Sequence, residues 1–444
     1  MAYKTYSYGQ IWRIAYPILI SVLMEQLIGM TDAAFLGRVG EVELGACAIG
    51  GVFYIAIFML GMGFSIGAQI LMGRRNGEGA YTRIGNIFYH GLAFLLVMAA
   101  ILFFATRYWG PYVLEHIVSS PAVCRAAEAY LDWRVYGFFF AFAAAMFRSF
   151  YVATTHTRTL TLNSLTMVAC NVVFNYILIY GKCGLPAFGI AGAAMGSSLS
   201  EAVSLLFFIL YTRFRTDYRR YGLNVLPRFR FSLLGSVLGI SVWTMIQNFL
   251  SLSTWFLFML AVEHLGERQL AVTNIIRNVS SFTFMTVIAL ASTASTLASN
   301  LLGQGEAEAV RPMLRRTVRL GFFILLPVLL FMCLFPEWVL RIFTDDARLL
   351  EAGREPLYVL ASSYVLTIPA QIYFHAVSGT GNTRTALLFE IISLTVYTLY
   401  VWVIIFRMRS SLPVCWTSEH VYGILAFFFS WAYIRWGNWR MKRI

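Results

Sequence analysis

Apolar stretches follow one another along almost the whole of this chain, each about 18 residues or longer, the length a helix needs to cross a bilayer. With 59% of its 444 residues hydrophobic and only 12% charged, the chain falls well below the roughly 25% charge of soluble domains. The stretches are too long and too continuously apolar to be the alternating strands of a membrane barrel. The expected fold class is therefore an all-α polytopic membrane protein. We place spans near 11–36, 44–72, 88–107, 129–153, 159–180 and 188–213, then near 233–262, 270–301, 318–343, 356–378, 384–406 and 418–438, twelve in all. The first run continues past any signal h-region without a small-residue cleavage site, so it is expected to remain as a span.

The net charge of +13 invites a nucleic-acid reading, but the charges are distributed by connection rather than clustered in a patch. Arg74, Arg75 and Arg83 mark one loop; Arg213, Arg215, Arg219, Arg220, Arg228 and Arg230 the second; Arg311, Arg315, Arg316 and Arg319 the third; Arg435, Arg440, Lys442 and Arg443 the end. The loops between hold most of the acids, among them Glu115, Glu128, Asp132, Glu263, Glu267, Asp345, Asp346 and Glu351. That alternation is the positive-inside bias, and it predicts both termini in the cytoplasm of a bacterial-type plasma membrane, with no nucleic-acid partner.

The chain repeats itself. Thr157-Arg158-Thr159 matches Thr383-Arg384-Thr385 at a shift of 383 − 157 = 226, and the same shift aligns "GEVELGACAIG" (40–50) with "GERQLAVTNII" (266–276). "IVSSPA" (117–122) parallels "IFTDDA" (342–347) at 225, and "RNGEGAYTR" (75–83) parallels "GQGEAEAVR" (303–311) at 228. A shift of six helices keeps orientation, so the repeat is parallel: a first lobe over 1–212, a polar cytoplasmic linker over 213–230 and a second lobe over 231–444. Two lobes suit alternating access more than they suit an enzyme or a channel.

At this point the chain resembles one family, the multidrug and toxic compound extrusion (MATE) transporters. The resemblance is carried by "YPILISVLMEQLIGMTDAAFLGRVGEVELGA" (16–46), "NVVFNYILIYG" (171–181), "GIAGAAMGSSLSE" (189–201) and the duplicated Gly-acid turns after the second and eighth spans. It implies twelve helices in two V-shaped lobes, export of bulky cationic or amphipathic compounds, and exchange for Na+ or H+, with no cofactor beyond that coupling ion. The expected partners are the bilayer and a small-molecule substrate, and the expected state is a monomer.

Two carboxylates interrupt the first span. A carboxylate at a helix centre costs about 2.5–3.5 kcal/mol on insertion scales, so one is seldom retained without a role. Glu25 and Asp32 lie seven residues apart, close to two turns, hence on nearly one face and about 10 Å apart along the axis. The resemblance assigns Asp32 to cation coupling, with Asn171 and Asn175 on the fifth helix and Ser197 or Ser198 on the sixth; Glu25, on the same face, offers an alternative site. A carboxylate, amide carbonyls and a hydroxyl are hard oxygen ligands of the kind Na+ takes. Several relatives carry Asp where Asn175 stands, which removes one negative charge. The family's acid in the seventh helix falls on Ser251, so coupling is expected in the first lobe.

Arg148, Glu201, Arg277 and Glu390 are charges in or near spans, expected to snorkel or to form ion pairs. Asp345 and Asp346 are expected to cap a helix. Trp255, Phe256 and Met259, with Gln26, are candidates for a substrate cavity, since aromatic and Met surfaces suit varied ligands. Pro17, Pro327 and Pro369 are candidate kinks. The six cysteines form no CxxC pair and are expected to pack as small apolar residues. Two other functions would leave different marks. A flippase for lipid-linked precursors expects a cationic cavity, and a membrane-embedded transferase expects a cluster of acids or histidines at a membrane face; neither is visible here.

Overall fold

A computed structural model describes residues 6–440, so Lys442 and Arg443 lie outside the described residues. The elements run α1 (Tyr8–Leu36), α2 (Glu41–Gly77), α3 (Tyr81–Ile117), α4 (Pro121–Arg134), α5 (Gly137–Ala153), α6 (Arg158–Tyr180) and α7 (Gly189–Arg215). They continue as α8 (Phe231–Glu263), α9 (Glu267–Gly303), α10 (Val310–Leu334), α11 (Pro336–Arg341), α12 (Ala347–Gly379), α13 (Thr383–Trp402), α14 (Leu412–Trp416) and α15 (Ser418–Trp436). No strand occurs among the described residues. Ten helical segments are long and apolar enough to cross a membrane, and the bent pair α4–α5 makes eleven. The twelfth span of the fold is α15, whose 19 residues begin with the polar Ser418, Glu419 and His420.

Local chemistry sets the helix ends. Glu41 and Glu43 open α2 and Arg74 and Arg75 close it, each sign placed against the opposite end of the helix dipole. Ser120 and Asp346 cap α4 and α12 through their side-chain oxygens, Asp346 Oδ1 accepting from the Arg348 backbone N–H at 2.8 Å. That exposed cap holds the Asp346 carboxyl below the usual carboxylate range, chiefly because the Arg348 N–H stabilises its charged form. The repeat is visible in these boundaries: α2 and α9 start and stop 226 residues apart, and so do the two caps.

The chain divides into two compact units, Ile20–Met245 and Met1–Leu19 with Ile246–Ile444, so the division falls within α1 and within α8. The first contains α2 to α7 and the second α9 to α15. Apolar side chains cover the outside as well as the inside: Val97, Ile101, Phe104 and Tyr108 are all exposed along one face of α3, a surface made for lipid. All six cysteines are unpaired.

Two expected spans are divided. The fourth, expected as one helix over 129–153, is α4 and α5 bent by 52°. No proline causes the break, which falls at Val135 and Tyr136. Ser198 Oγ on α7 instead donates to the freed carbonyls of Trp133 and Arg134, at 3.2 and 3.5 Å. Pro17, Pro327 and Pro369 lie inside helices that continue through them. The ninth run, expected over 318–343, stops at Leu334 because Pro336 keeps the preceding Phe335 out of the helical region (φ −128°, ψ 54°), and α11 begins on that proline.

Candidate functional site

Asp32 stands in the C-terminal third of α1 and is only 6% exposed. Asn175 Nδ2 donates to its Oδ1 at 2.6 Å and Ser197 Oγ donates to its Oδ2 at 2.7 Å. Asn175 Nδ2 also reaches Asn171 Oδ1 at 3.2 Å, and Asn171 Nδ2 donates to Ser197 Oγ at 3.3 Å, closing a ring of four side chains from three helices. Asn171 and Asn175 are one turn apart on α6 and both fully buried. Among the described residues no arginine, lysine or histidine forms an ion pair with Asp32. Asn175 Oδ1 is buried with no donor among the described residues. The cluster thus offers carboxylate, amide and hydroxyl oxygens without a resident positive charge, which is a donor set fit for a proton or Na+.

Glycine makes the room. A Cβ on Gly196 of α7 would lie 2.4 Å from Asn175 Oδ1, so any larger residue would displace the amide. Ser198, the alternative hydroxyl, faces the α4–α5 break instead of Asp32. Glu25 is not brought to Asp32 either: Arg148 Nη1 donates to its Oε1, while Ser21 Oγ lies 3.4 Å from the same oxygen and 2.8 Å from Ser164 Oγ.

Glu201 lies four residues beyond Ser197 on α7 and is held by Arg134, the last residue of α4, in a two-pronged pair at 2.6 and 2.9 Å. Tyr54 Oη donates to Glu201 at 3.0 Å, and the Arg134 guanidinium stacks 3.5 Å above the Tyr54 ring. A Cβ on Gly137 would come within 2.3 Å of both Arg134 Nη1 and Glu201 Oε2, so a side chain on the first residue of α5 would force the tips of that pair to shift. Of the four intramembrane charges, Glu201 and Arg148 are paired and Arg277 covers the Trp255 ring at 5.4 Å. Glu390 is the exception: it is 1% exposed and accepts only from Ser251 and Tyr422. The expectation of snorkelling or an ion pair does not hold for it.

Of the residues considered for a substrate cavity, Gln26 and Phe256 are exposed and Trp255 and Met259 half-buried; the buried aromatic of that stretch is Phe258. The residues missed from the sequence are Gly137, Gly196 and the Arg134–Tyr54 stack. Their signal was present only as an isolated glycine one turn from a charge or an amide partner.

A family model described as MatE matches this chain twice, over residues 17–177 and over 244–403. The Probable multidrug resistance protein NorM of Pasteurella multocida is 23% identical over 377 residues, covering 84% of this chain and 81% of that protein. Its namesake from Thermotoga maritima is 24% identical over 386 residues, covering 86% and 82%. A solved structure described as the outward-facing conformation of a multidrug resistance MATE family transporter of the MOP superfamily superposes with a TM-score of 0.88 at 18% identity, over 96% of each chain.

Proposed function

This chain belongs to the MatE family of membrane transporters, and from that premise we propose that it is a cation-coupled antiporter exporting amphipathic or cationic small molecules by alternating access. It is a transporter and not an enzyme. The drug-export part of the reading draws on the multidrug resistance proteins it is similar to. The coupling part is supported by one observation above the rest: Asp32 is buried, hydrogen-bonded on both oxygens, and has no basic partner among the described residues.

A carboxylate in that setting is relieved by a proton or by Na+. Asp32 holds the ion, Asn171 and Asn175 contribute amide oxygens, and Ser197 contributes a hydroxyl. Ion-loaded and ion-free Asp32 favour different arrangements of the protein, because an ion shifts a conformational equilibrium only by its difference in affinity for the two states. Ion release on the cytoplasmic side then lets substrate be captured for the next export step. One charge crossing 100 mV supplies about 2.3 kcal/mol to the cycle. The basic loops support cytoplasmic termini, and the lobes 1–212 and 231–444 joined by 213–230 are the bodies proposed to rearrange.

The test is export of a fluorescent cationic substrate from proteoliposomes, with a Na+ gradient and a pH gradient imposed separately. Asp32→Asn is expected to abolish gradient-driven export at unchanged protein level. Wild-type export by that variant sinks the assignment, and the gradient that drives the unmodified protein names the ion.

A further inference from the structure

Glu390 of α13 is the deepest acid of the second unit. Each of its oxygens already accepts one hydrogen bond, Oε1 from Ser251 Oγ at 2.5 Å and Oε2 from Tyr422 Oη at 2.9 Å. No arginine, lysine or histidine among the described residues pairs with it, although Glu25 and Glu201 of the first unit each hold an arginine.

The repeat explains how this arose in space. At the shift of 226, Glu25 corresponds to Ser251, Ser164 to Glu390, and Arg148 to Phe374. At these two positions, on the first and fifth helices, each repeat therefore carries one acid and one serine, with the acid on opposite helices in the two halves. In the first repeat an arginine neutralises the acid; in the second, a phenylalanine occupies the arginine's position.

Two buried polar atoms on these helices of the second repeat have no partner among the described residues. Gln247 Oε1 lies one turn before Ser251 on the same face of α8, and Ser393 Oγ one turn beyond Glu390 on α13. One is an amide oxygen and the other a hydroxyl, so neither brings a charge to Glu390. The other titratable groups nearby are Tyr422 and Glu419 on α15 and Tyr397 on α13, the last donating to Glu419 Oε1 at 3.3 Å. From α12 the neighbouring group is the uncharged Gln371. His375 faces its own helix carbonyl at Gln371, and His420 meets Ser362, so neither turns a positive charge toward Glu390.

We propose that Glu390 is a second proton-binding site, carried by the second repeat, in which the neutral acid is held by Ser251 and Tyr422 in place of an ion pair. The site goes beyond the coupling proposed for Asp32 and stands or falls independently of it.

Difference infrared spectroscopy of the full chain in lipid, titrated with acid and base without substrate, reads protonated buried carboxyls directly. A protonated-carboxyl carbonyl band is expected in the unmodified protein and in Asp32→Asn, and is expected to weaken in Asp32→Asn/Glu390→Gln relative to Asp32→Asn. Ser251→Ala, which retains the carboxyl, is expected to move the band's frequency because Oε1 loses its donor; it also serves where Glu390→Gln fails to fold. A band undiminished in Asp32→Asn/Glu390→Gln relative to Asp32→Asn, or a frequency unmoved in Ser251→Ala, overturns the proposal. Loss of the band on adding Na+ at constant pH overturns it too, in favour of a metal-cation site. Because the readout needs no transport, failure of the Asp32 reading leaves this result interpretable.

Discussion

At the level of Asp32 the first repeat buries a carboxylate among two amides and a hydroxyl. At the shift of 226 the second repeat buries Phe258, its ring 6.3 Å from that of Tyr397 and 5.5 Å from that of Trp416. Tyr397 and Val401 stand where the first repeat has Asn171 and Asn175. The same scaffold thus carries an ion-sized polar cluster in one half and an aromatic plug in the other. A second difference lies in the fourth span. In the first repeat it is broken by 52°, and the Arg134–Glu201 pair sits at the break. In the second, α12 runs unbroken through Leu360 and Ser363, the counterparts of Arg134 and Gly137. Helix ends survive duplication because capping depends on one or two local residues. A buried site depends on several helices at once, so its halves can diverge while the backbone does not.

Four results would sharpen or break this contrast. The largest effect expected is the loss of driven export in Asp32→Asn, against Phe258→Ala, which should retain coupling but lose stability. Emptying that fully buried ring leaves a cavity worth about 3–5 kcal/mol, read as a lower unfolding temperature in detergent. If Phe258→Ala uncouples transport as Asp32→Asn does, the two positions are not chemically distinct and the comparison fails.

Gly137→Ala comes next. Its methyl would intrude on Arg134 and Glu201, and separating that largely buried pair is expected to destabilise the protein by about 2–4 kcal/mol. Its counterpart Ser363→Ala loses only a bond to its own helix, at the Leu360 carbonyl, and should change stability by less than about 1 kcal/mol. Equal unfolding temperatures for these two variants would mean that the break does not depend on the ion pair.

The smallest effects concern the paired caps. Ser120→Ala should cost about 0.5 kcal/mol and be indifferent to pH, since the hydroxyl caps at a long 3.5 Å. Asp346 behaves otherwise. Its carboxyl titrates below the usual range when folded, so its contribution is complete above the unfolded carboxylate pKa and disappears as pH falls through the lower, folded value. Comparing unfolding of the unmodified protein with Asp346→Ala across the acid range should show the gap closing as pH drops. A gap that widens in acid would contradict the capping role.

Much of the architecture was legible in the sequence because its causes are local or periodic. Apolar length marks the spans, alternating basic loops mark topology, and the 226-residue shift marks duplication. Asp32, Asn171, Asn175 and Ser197 were nameable through family resemblance, and the coordinates bring the four together. Glu25 shares a helical face with Asp32, and sequence spacing shows no more than that. Arg148, 123 residues away, claims that acid instead.

The sequence by itself determined a duplicated helical membrane chain with too few charges for any of its buried acids to be incidental. Only the tertiary structure decided which acids found a counter-charge. Glu25 and Glu201 did so through arginines on other helices, while Asp32 and Glu390 received hydrogen-bond donors alone. The physical reason is distance: hydropathy and propensity act over a few residues, but the fate of a buried charge depends on side chains that meet only after the helices pack.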